Sequence, residues 1–220
     1  MKDMGLFSQL VYYFSHNGMY VLSQFNQTFL VSIYGVLLGA IVGIPLGIWI
    51  SQYRRLSPVI IGIANVIQTI PSLAMLSILM LGLGLGQTTV IVTVFLYSLL
   101  PIIKNTYTGM LSVDRYVLDA GKGMGMTGFQ IMKTIRLPLS LSVIIAGIRN
   151  ALVIGIGITV IGSFIGSGGL GDIIVRGTNA TDGGAIILAG ALPTALMAII
   201  TDLVLSFIEK RLTPKTSSER

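Results

Sequence analysis

Long runs of apolar residues constrain the fold of this chain more than any other feature. Five runs with few or no charges occur, at about residues 28–50, 58–81, 88–103, 139–162 and 184–208. All but the third, which has sixteen residues, reach the roughly 20 residues that an α-helix needs to cross a bilayer core. A composition of 53% hydrophobic and only 10% charged residues excludes the soluble globular class. The sequence therefore predicts an all-α, polytopic transmembrane bundle of about five spans.

The same pattern divides the chain into three parts. Residues 1–27 mix charged and polar groups with helically spaced apolar residues, which predicts a helix in the membrane interface and not a cleaved signal peptide. Residues 28–208 form the predicted transmembrane domain, with a cytoplasmic loop at 112–138. Residues 209–220 form a basic tail.

The positions of the basic residues predict the orientation in the membrane. Lys2 and Arg176 would fall on one side, Arg149 lies inside a run, and the other eleven of the fourteen would share the opposite side. Because cytoplasmic loops are enriched in Lys and Arg, we expect an outer amino terminus and a cytoplasmic carboxyl terminus. Topology thus accounts for the net charge of +6, and no nucleic-acid partner is expected. The eleven are Arg54, Arg55, Lys104, Arg115, Lys122, Lys133, Arg136, Lys210, Arg211, Lys215 and Arg220.

Glycines recur at every fourth position of the first run. Gly35, Gly39, Gly43 and Gly47 would lie along one stripe of a helix, and missing side chains there let a neighbouring backbone approach closely. The stripe predicts a helix-packing face. Pro45 lies in the same run and is expected to bend the helix.

Polar residues within the second run are candidates for a translocation path. Asn65, Gln68 and Ser72 are spaced at i, i+3 and i+7, and amides in hydrocarbon need partners or water. Pro71 is expected to end or kink this helix at residue 70. These side chains would either line a wet passage or hold the bundle together by interhelical hydrogen bonds, and both interpretations stay open.

Arg149 lies about ten residues into the fourth run, and a charge within a span is a candidate functional group. Three interpretations stay open. Arg149 could contact solute or gate a path, it could pair with Asp202 of the fifth run, or its side chain could extend to the cytoplasmic interface.

The loop at 112–138 is too polar to enter a membrane and too regular for a slack linker. Its capping signals predict two short helices that form a compact cytoplasmic lobe. These signals are Asp114 as the cap of the first helix, Gly123 or Gly125 at its end, a Thr127–Gln130 capping box for the second helix, and Pro138 after its end.

The lobe resembles the E-A-A loop of ATP-binding-cassette (ABC) importer permeases. That loop has an acid, two small residues, a glycine six positions after the acid, then nine residues and I-x-L-P. The matching positions are Asp119, the small pair Ala120 and Gly121, then Gly125, Ile135, Leu137 and Pro138. The departures are Asp119 in place of Glu and Gly121 in place of Ala.

Other segments extend the resemblance over most of the chain. The stretches I-Q-T-I-P-S-L at 67–73, G-L-G-L-G at 82–86 and I-G-S-G-G-L-G at 165–171 are similar to permeases of osmoprotectant importers for glycine betaine, carnitine or choline. The resemblance implies a type I ABC importer permease fold in a bacterial cell membrane, with a role in osmotic stress.

The resemblance also implies the partners. A separate dimer of ATPase subunits would grip the coupling helix at about 114–136, and would bind ATP and Mg, so that this chain needs no cofactor of its own. A second permease chain, identical or paralogous, would complete the path, since five spans are too few to enclose one. An extracellular solute-binding protein would deliver the solute, and membrane lipid would surround the bundle.

The sequence lacks the combinations of residues that are typical of catalytic sites. No G-x-x-x-x-G-K-[ST] phosphate loop occurs, and there is no cysteine and one histidine, His16. We therefore expect neither a catalytic nor a metal site, and a permease subunit that is not an enzyme. Gly166, Gly168 and Gly171 spell a dinucleotide fingerprint, but without a βαβ context they indicate a tight external turn.

Two alternatives to the osmoprotectant permease stay open. Permeases for methionine or another amino acid are of similar size and carry a comparable glycine-rich segment. A small secondary transporter or channel that needs no ATPase is favoured by Arg149 and the amides of the second run, and it would move solute without a partner.

Overall fold

The computed structural model describes residues 5–213, so that Lys2, Asp3, Lys215 and Arg220 lie outside the described residues. Within that range the secondary structure is entirely helical. The α-helices are α1 (Leu6–Gln52), α2 (Ser57–Thr69), α3 (Ser72–Leu83), α4 (Gln87–Leu111), α5 (Arg115–Gly123), α6 (Gly128–Ile131), α7 (Leu137–Ile161), α8 (Leu170–Thr178) and α9 (Gly184–Leu212). A π-helical turn at Met132–Arg136 joins α6 to α7.

The long helices confirm the predicted fold class. Helices α1, α4 and α9 and the helical stretch Gly128–Ile165 are each long and apolar enough to cross a membrane. The pair of α2 and α3, bent by 94°, supplies a fifth span if it is counted as one. The chain is therefore a multi-pass membrane protein of all-α architecture.

The bend in the second predicted span lies at Pro71. Helix α2 ends at Thr69, Ile70 is extended, and α3 begins after Pro71. Proline lacks an N–H and disfavours the helical conformation of the residue before it. The predicted break at residue 70 is confirmed.

Two predicted boundaries differ from the structure. Helix α4 has 25 residues and continues beyond Pro101 to Leu111, so the prediction that Lys104 follows the third span is wrong. In addition, α1 runs for 47 residues without a break at residue 27. Leu10, Phe14 and Val21 of its first half belong to one apolar cluster with residues of α8 and α9.

The glycine stripe of α1 packs against α4. A Cβ atom placed on Gly35 would lie 2.6 Å from the Val94 Cβ, and one placed on Gly47 would lie 2.6 Å from the Thr106 Cβ. Gly39 and Gly43 meet Ser98 and Ile102 of α4 in the same way. The two helix backbones can approach this closely only where the side chain is a hydrogen atom.

A glycine turn between α7 and α8 is tied to α1 by hydrogen bonds. Gly166, Gly168 and Gly169 have positive φ angles of 77°, 70° and 85°, which glycine adopts without steric cost. The N–H of Gly169 donates to the Gln24 side chain at 2.7 Å, and the next N–H donates to the Thr28 hydroxyl at 2.8 Å. Of the fingerprint glycines, Gly166 and Gly168 thus lie in a turn between helices, whereas Gly171 lies in the first turn of α8.

Candidate functional site: the lobe and the membrane cavity

The first helix of the lobe, α5, is capped at both ends by residues next to it in the sequence. The Asp114 carboxylate accepts a hydrogen bond at 2.8 Å from the backbone N–H two residues on. Gly123 is the last helical residue, and Gly125 takes the left-handed conformation with φ of 80°. The N–H of Met126 then donates to the Gly121 carbonyl at 3.1 Å, which completes a Schellman motif.

The second helix begins with the predicted capping box. The Thr127 N–H donates to the Gln130 side chain at 2.7 Å, and the Gln130 N–H donates to the Thr127 hydroxyl at 3.3 Å. The prediction that this helix ends before Pro138 is wrong, because α6 continues through the π-helical turn into α7. Pro138 lies in the first turn of α7, where the chain leaves the wider π-helical register.

The two arms of the lobe touch at Gly121. This residue is buried, and a Cβ atom there would lie 2.8 Å from the Ile135 Cδ1 atom and 3.4 Å from the Met126 sulfur. Because Ile135 presents a flexible side-chain tip, an alanine could be accommodated with a small shift. Asp119 and Ala120 are exposed beside it, and Asp119 pairs with Lys122 at 3.0 Å.

The outer surface of the lobe is apolar at several points. Tyr116 is 86% exposed, and Met124 and Phe129 are each 76% exposed. Leu137 is half-buried and Pro138 is exposed where α7 begins.

A cavity of about 680 Å³ opens between α2, α4, α7 and α9. Gln68 lines it, and its side-chain N–H donates to the Tyr97 carbonyl at 3.0 Å. Of the predicted path residues only Gln68 reaches this cavity, since Asn65 is exposed on another part of α2 and Ser72 begins α3 beyond the bend. The other lining residues are Leu100, Pro101, Lys104, Asn105, Thr108, Asn150, Val153, Ile154 and Asp202.

Arg149 lies beside the cavity and is held by two carboxylates. Its Nε atom is 3.5 Å from an Asp202 oxygen, and its Nη1 atom is 3.3 Å from a Glu209 oxygen. The pair with Asp202 is therefore present, and Glu209 is a second partner that sequence reasoning missed. The spacing of these two acids by seven residues on α9 was the available signal, because it places them on one helix face.

Among residues 5–213, no group of histidine, cysteine or acidic side chains is arranged to hold a metal ion.

Comparison with known proteins gives the family. The family model described as "Binding-protein-dependent transport system inner membrane component" matches residues 35–215. The glycine betaine/carnitine/choline transport system permease protein OpuCD of Bacillus subtilis is 63% identical, over 96% of this chain and 92% of that protein. The choline transport system permease protein OpuBD of the same organism is 58% identical, over 96% and 93%.

Solved structures give the fold. An inward-facing MetNI methionine ABC transporter matches with a TM-score of 0.74 at 20% identity, over 89% of this chain and 98% of that one. An amino acid ABC transporter with histidines matches with a TM-score of 0.69 at 21% identity, over 95% and 99%. The fold is thus that of type I ABC importer permeases, as the E-A-A resemblance implied. The chain belongs to the family of binding-protein-dependent transport system inner membrane components, the permeases of ABC importers.

Proposed function

We propose that this chain is the permease subunit of an ATP-driven importer for osmoprotectants that carry a quaternary ammonium group, such as glycine betaine, carnitine and choline. The support is the 63% and 58% identity, over almost the whole chain, to permeases whose names state these solutes. The likeness to the methionine transporter, at 20% identity, concerns the fold alone.

The observation that carries the coupling part of the proposal is the folded lobe at 112–138. The turn between its two helices is fixed by the Schellman motif at Gly125 and the capping box at Thr127, and the lobe exposes Tyr116, Met124 and Phe129. In the proposed complex these side chains seat in a separate ATPase subunit. That subunit binds ATP and Mg, and this chain carries no cofactor and no catalytic group.

The rest of the assembly follows from the same proposal. The lobe lies in the cytoplasm with the carboxyl terminus, and the amino terminus lies outside. A second permease chain completes the path, and an extracellular binding protein delivers solute. ATP binding then favours one of two packings of the bundle through its contacts with the lobe.

Deletion of the chain tests the substrate class. We expect a cell that depends on this importer to lose uptake of labelled glycine betaine, carnitine or choline, and to keep uptake of methionine. Loss of methionine uptake alone would overturn the assignment. The purified complex should contain an ATPase chain, whereas solute flux through the purified permease alone would indicate a channel or secondary transporter.

Gly125→Val tests the coupling assignment. A β-branched residue is strained at φ of 80°, so we expect the lobe to distort and uptake to fall severalfold while the chain still inserts in the membrane. Gly123→Val is the matched control, because Gly123 is helical and has open space around it. Full uptake and normal association with the ATPase in the Gly125 variant would contradict the assignment.

A further inference from the structure

Two charged side chains face the membrane cavity from different helices. Lys104 lies seven residues before the end of α4 at Leu111, which is about 10 Å along the helix axis. Asp202 lies ten residues before the end of α9 at Leu212, about 15 Å along that axis. Both residues lie within helices that are long and apolar enough to cross a membrane, and charged groups within such helices persist where they face water, a partner or a solute.

Lys104 is the cationic group of this cavity. Its ammonium forms no ion pair with any carboxylate of the described residues. The Asn150 side chain, which also lines the cavity, forms no hydrogen bond within the same part of the chain. An ammonium and an amide are therefore both available to a molecule inside the cavity.

Asp202 is the anionic group. Its side chain is 49% exposed, while the Arg149 side chain, 3.5 Å away, is only 24% exposed. Arg149 is also held by Glu209, so the Arg149 charge does not depend on Asp202 alone. Asp202 thus forms an ion pair with Arg149 and still lines the cavity with its carboxylate.

We propose, on the basis of the proposed function, that this cavity is a transit site for zwitterions. The Asp202 carboxylate attracts the quaternary ammonium of the solute, which has no N–H and is bound by charge. The Lys104 ammonium donates hydrogen bonds to the carboxylate of the solute. The cavity volume of about 680 Å³ is within the range of small-molecule sites.

This arrangement distinguishes solutes by their charges. Glycine betaine and carnitine carry both a quaternary ammonium and a carboxylate, so they use both Asp202 and Lys104. Choline carries the quaternary ammonium and no carboxylate, so it uses Asp202 alone. Removal of the Lys104 charge should therefore affect the first two solutes and spare the third.

Lys104→Met in the complete importer tests the cationic half of the site. We expect uptake of glycine betaine and carnitine to fall roughly tenfold, which corresponds to the loss of one charge-assisted hydrogen bond, with choline uptake unchanged or raised. Lys210→Met, at an exposed position near the end of α9, is the control and should leave all three unchanged. An equal loss of all three solutes, or no loss of any, would overturn the proposal.

Asp202→Asn tests the anionic half, with Glu209→Gln as the matched control. Both variants remove one carboxylate from Arg149, and only Asp202 lines the cavity. We expect Asp202→Asn to lower uptake of all three solutes and Glu209→Gln to leave it near the wild-type level. Equal losses in the two variants would reduce Asp202 to a structural partner of Arg149. A wild-type importer that moves none of the three would instead overturn the proposed function, and this inference with it.

Discussion

At the scale of single residues, hydrogen atoms in place of side chains set the distance between α1 and α4. A Cβ atom on Gly35 would meet the Val94 Cβ at 2.6 Å and the Ile91 carbonyl oxygen at 3.0 Å. Neither contact can be relieved by rotating a side-chain tip, because a Cβ and a carbonyl move only with the backbone. The two helices would have to separate.

Gly35→Ala should therefore destabilise the bundle although it adds only one methyl group. We expect a loss of about 1–3 kcal/mol, the usual cost of overpacking, which a thermal unfolding experiment in mild detergent would measure. Gly18→Ala in the same helix is the control, since a Cβ there meets nothing within 4 Å and alanine favours the helix. Equal stability of the two variants would contradict the close packing of α1 on α4.

The polar residues of the second run show which residue-level predictions depend on an unbroken helix. Asn65, Gln68 and Ser72 share a face only if one helix contains all three. Since the chain bends by 94° between α2 and α3, Ser72 leaves that face, and Gln68 alone reaches the cavity. Pro71 was visible in the sequence, but the angle of the bend depends on packing against α4 and was not.

At the scale of elements, the lobe owes its form to local capping signals. Asp114, Gly125 and Thr127 each satisfy or redirect the backbone within a few residues, so the order of α5 and α6 could be predicted from the sequence. The continuation of α6 into α7 could not, because it depends on a π-helical turn that has no comparable signature and admits Pro138 at the start of α7.

Thr127→Ala should loosen the start of α6. The loss of one N-terminal cap costs about 0.5–2 kcal/mol, so we expect faster amide hydrogen exchange at residues 128–131 and reduced uptake at an unchanged membrane level. Thr134→Ala is a suitable control, because Thr134 is exposed and forms no side-chain hydrogen bond with the described residues. Unchanged exchange in the Thr127 variant would show that packing of the lobe, and not its cap, orders this helix.

At the scale of the whole molecule, contacts between distant parts of the chain determine how the predicted helices are arranged. Apolar run length predicted the number and the order of the spans, and the positions of the basic residues predict their orientation. The hydrogen bond from Gly169 to Gln24 and the ion pair of Arg149 with Glu209 join residues more than fifty positions apart. The assembly of the helices fixes these pairings. The sequence offers the helix face shared by Asp202 and Glu209, but no local pattern pairs Gly169 with Gln24.

Cysteine labelling tests the proposed orientation of the whole chain, since the sequence has no cysteine of its own. We expect Thr178→Cys, at the exposed end of α8, to react with a membrane-impermeant maleimide in intact cells, and Ser112→Cys, at the start of the lobe, to react only after permeabilisation. Thr201→Cys, which is buried, should remain unlabelled in both conditions. The reverse pattern would place the lobe outside the cell and would rule out its contact with a cytoplasmic ATPase.

Because α6 continues into α7 without a break, the second helix of the lobe and α7 form one continuous helical segment. The helical stretch Gly128–Ile165 has 38 residues, about 57 Å end to end. At Gly147 it packs closely on α4, since a Cβ atom there would lie 2.9 Å from the Pro101 carbonyl oxygen. Rotation of the whole stretch about that contact by about five degrees moves its end at residue 165, roughly 27 Å from Gly147, by about 2.4 Å, next to the glycine turn at 166–169.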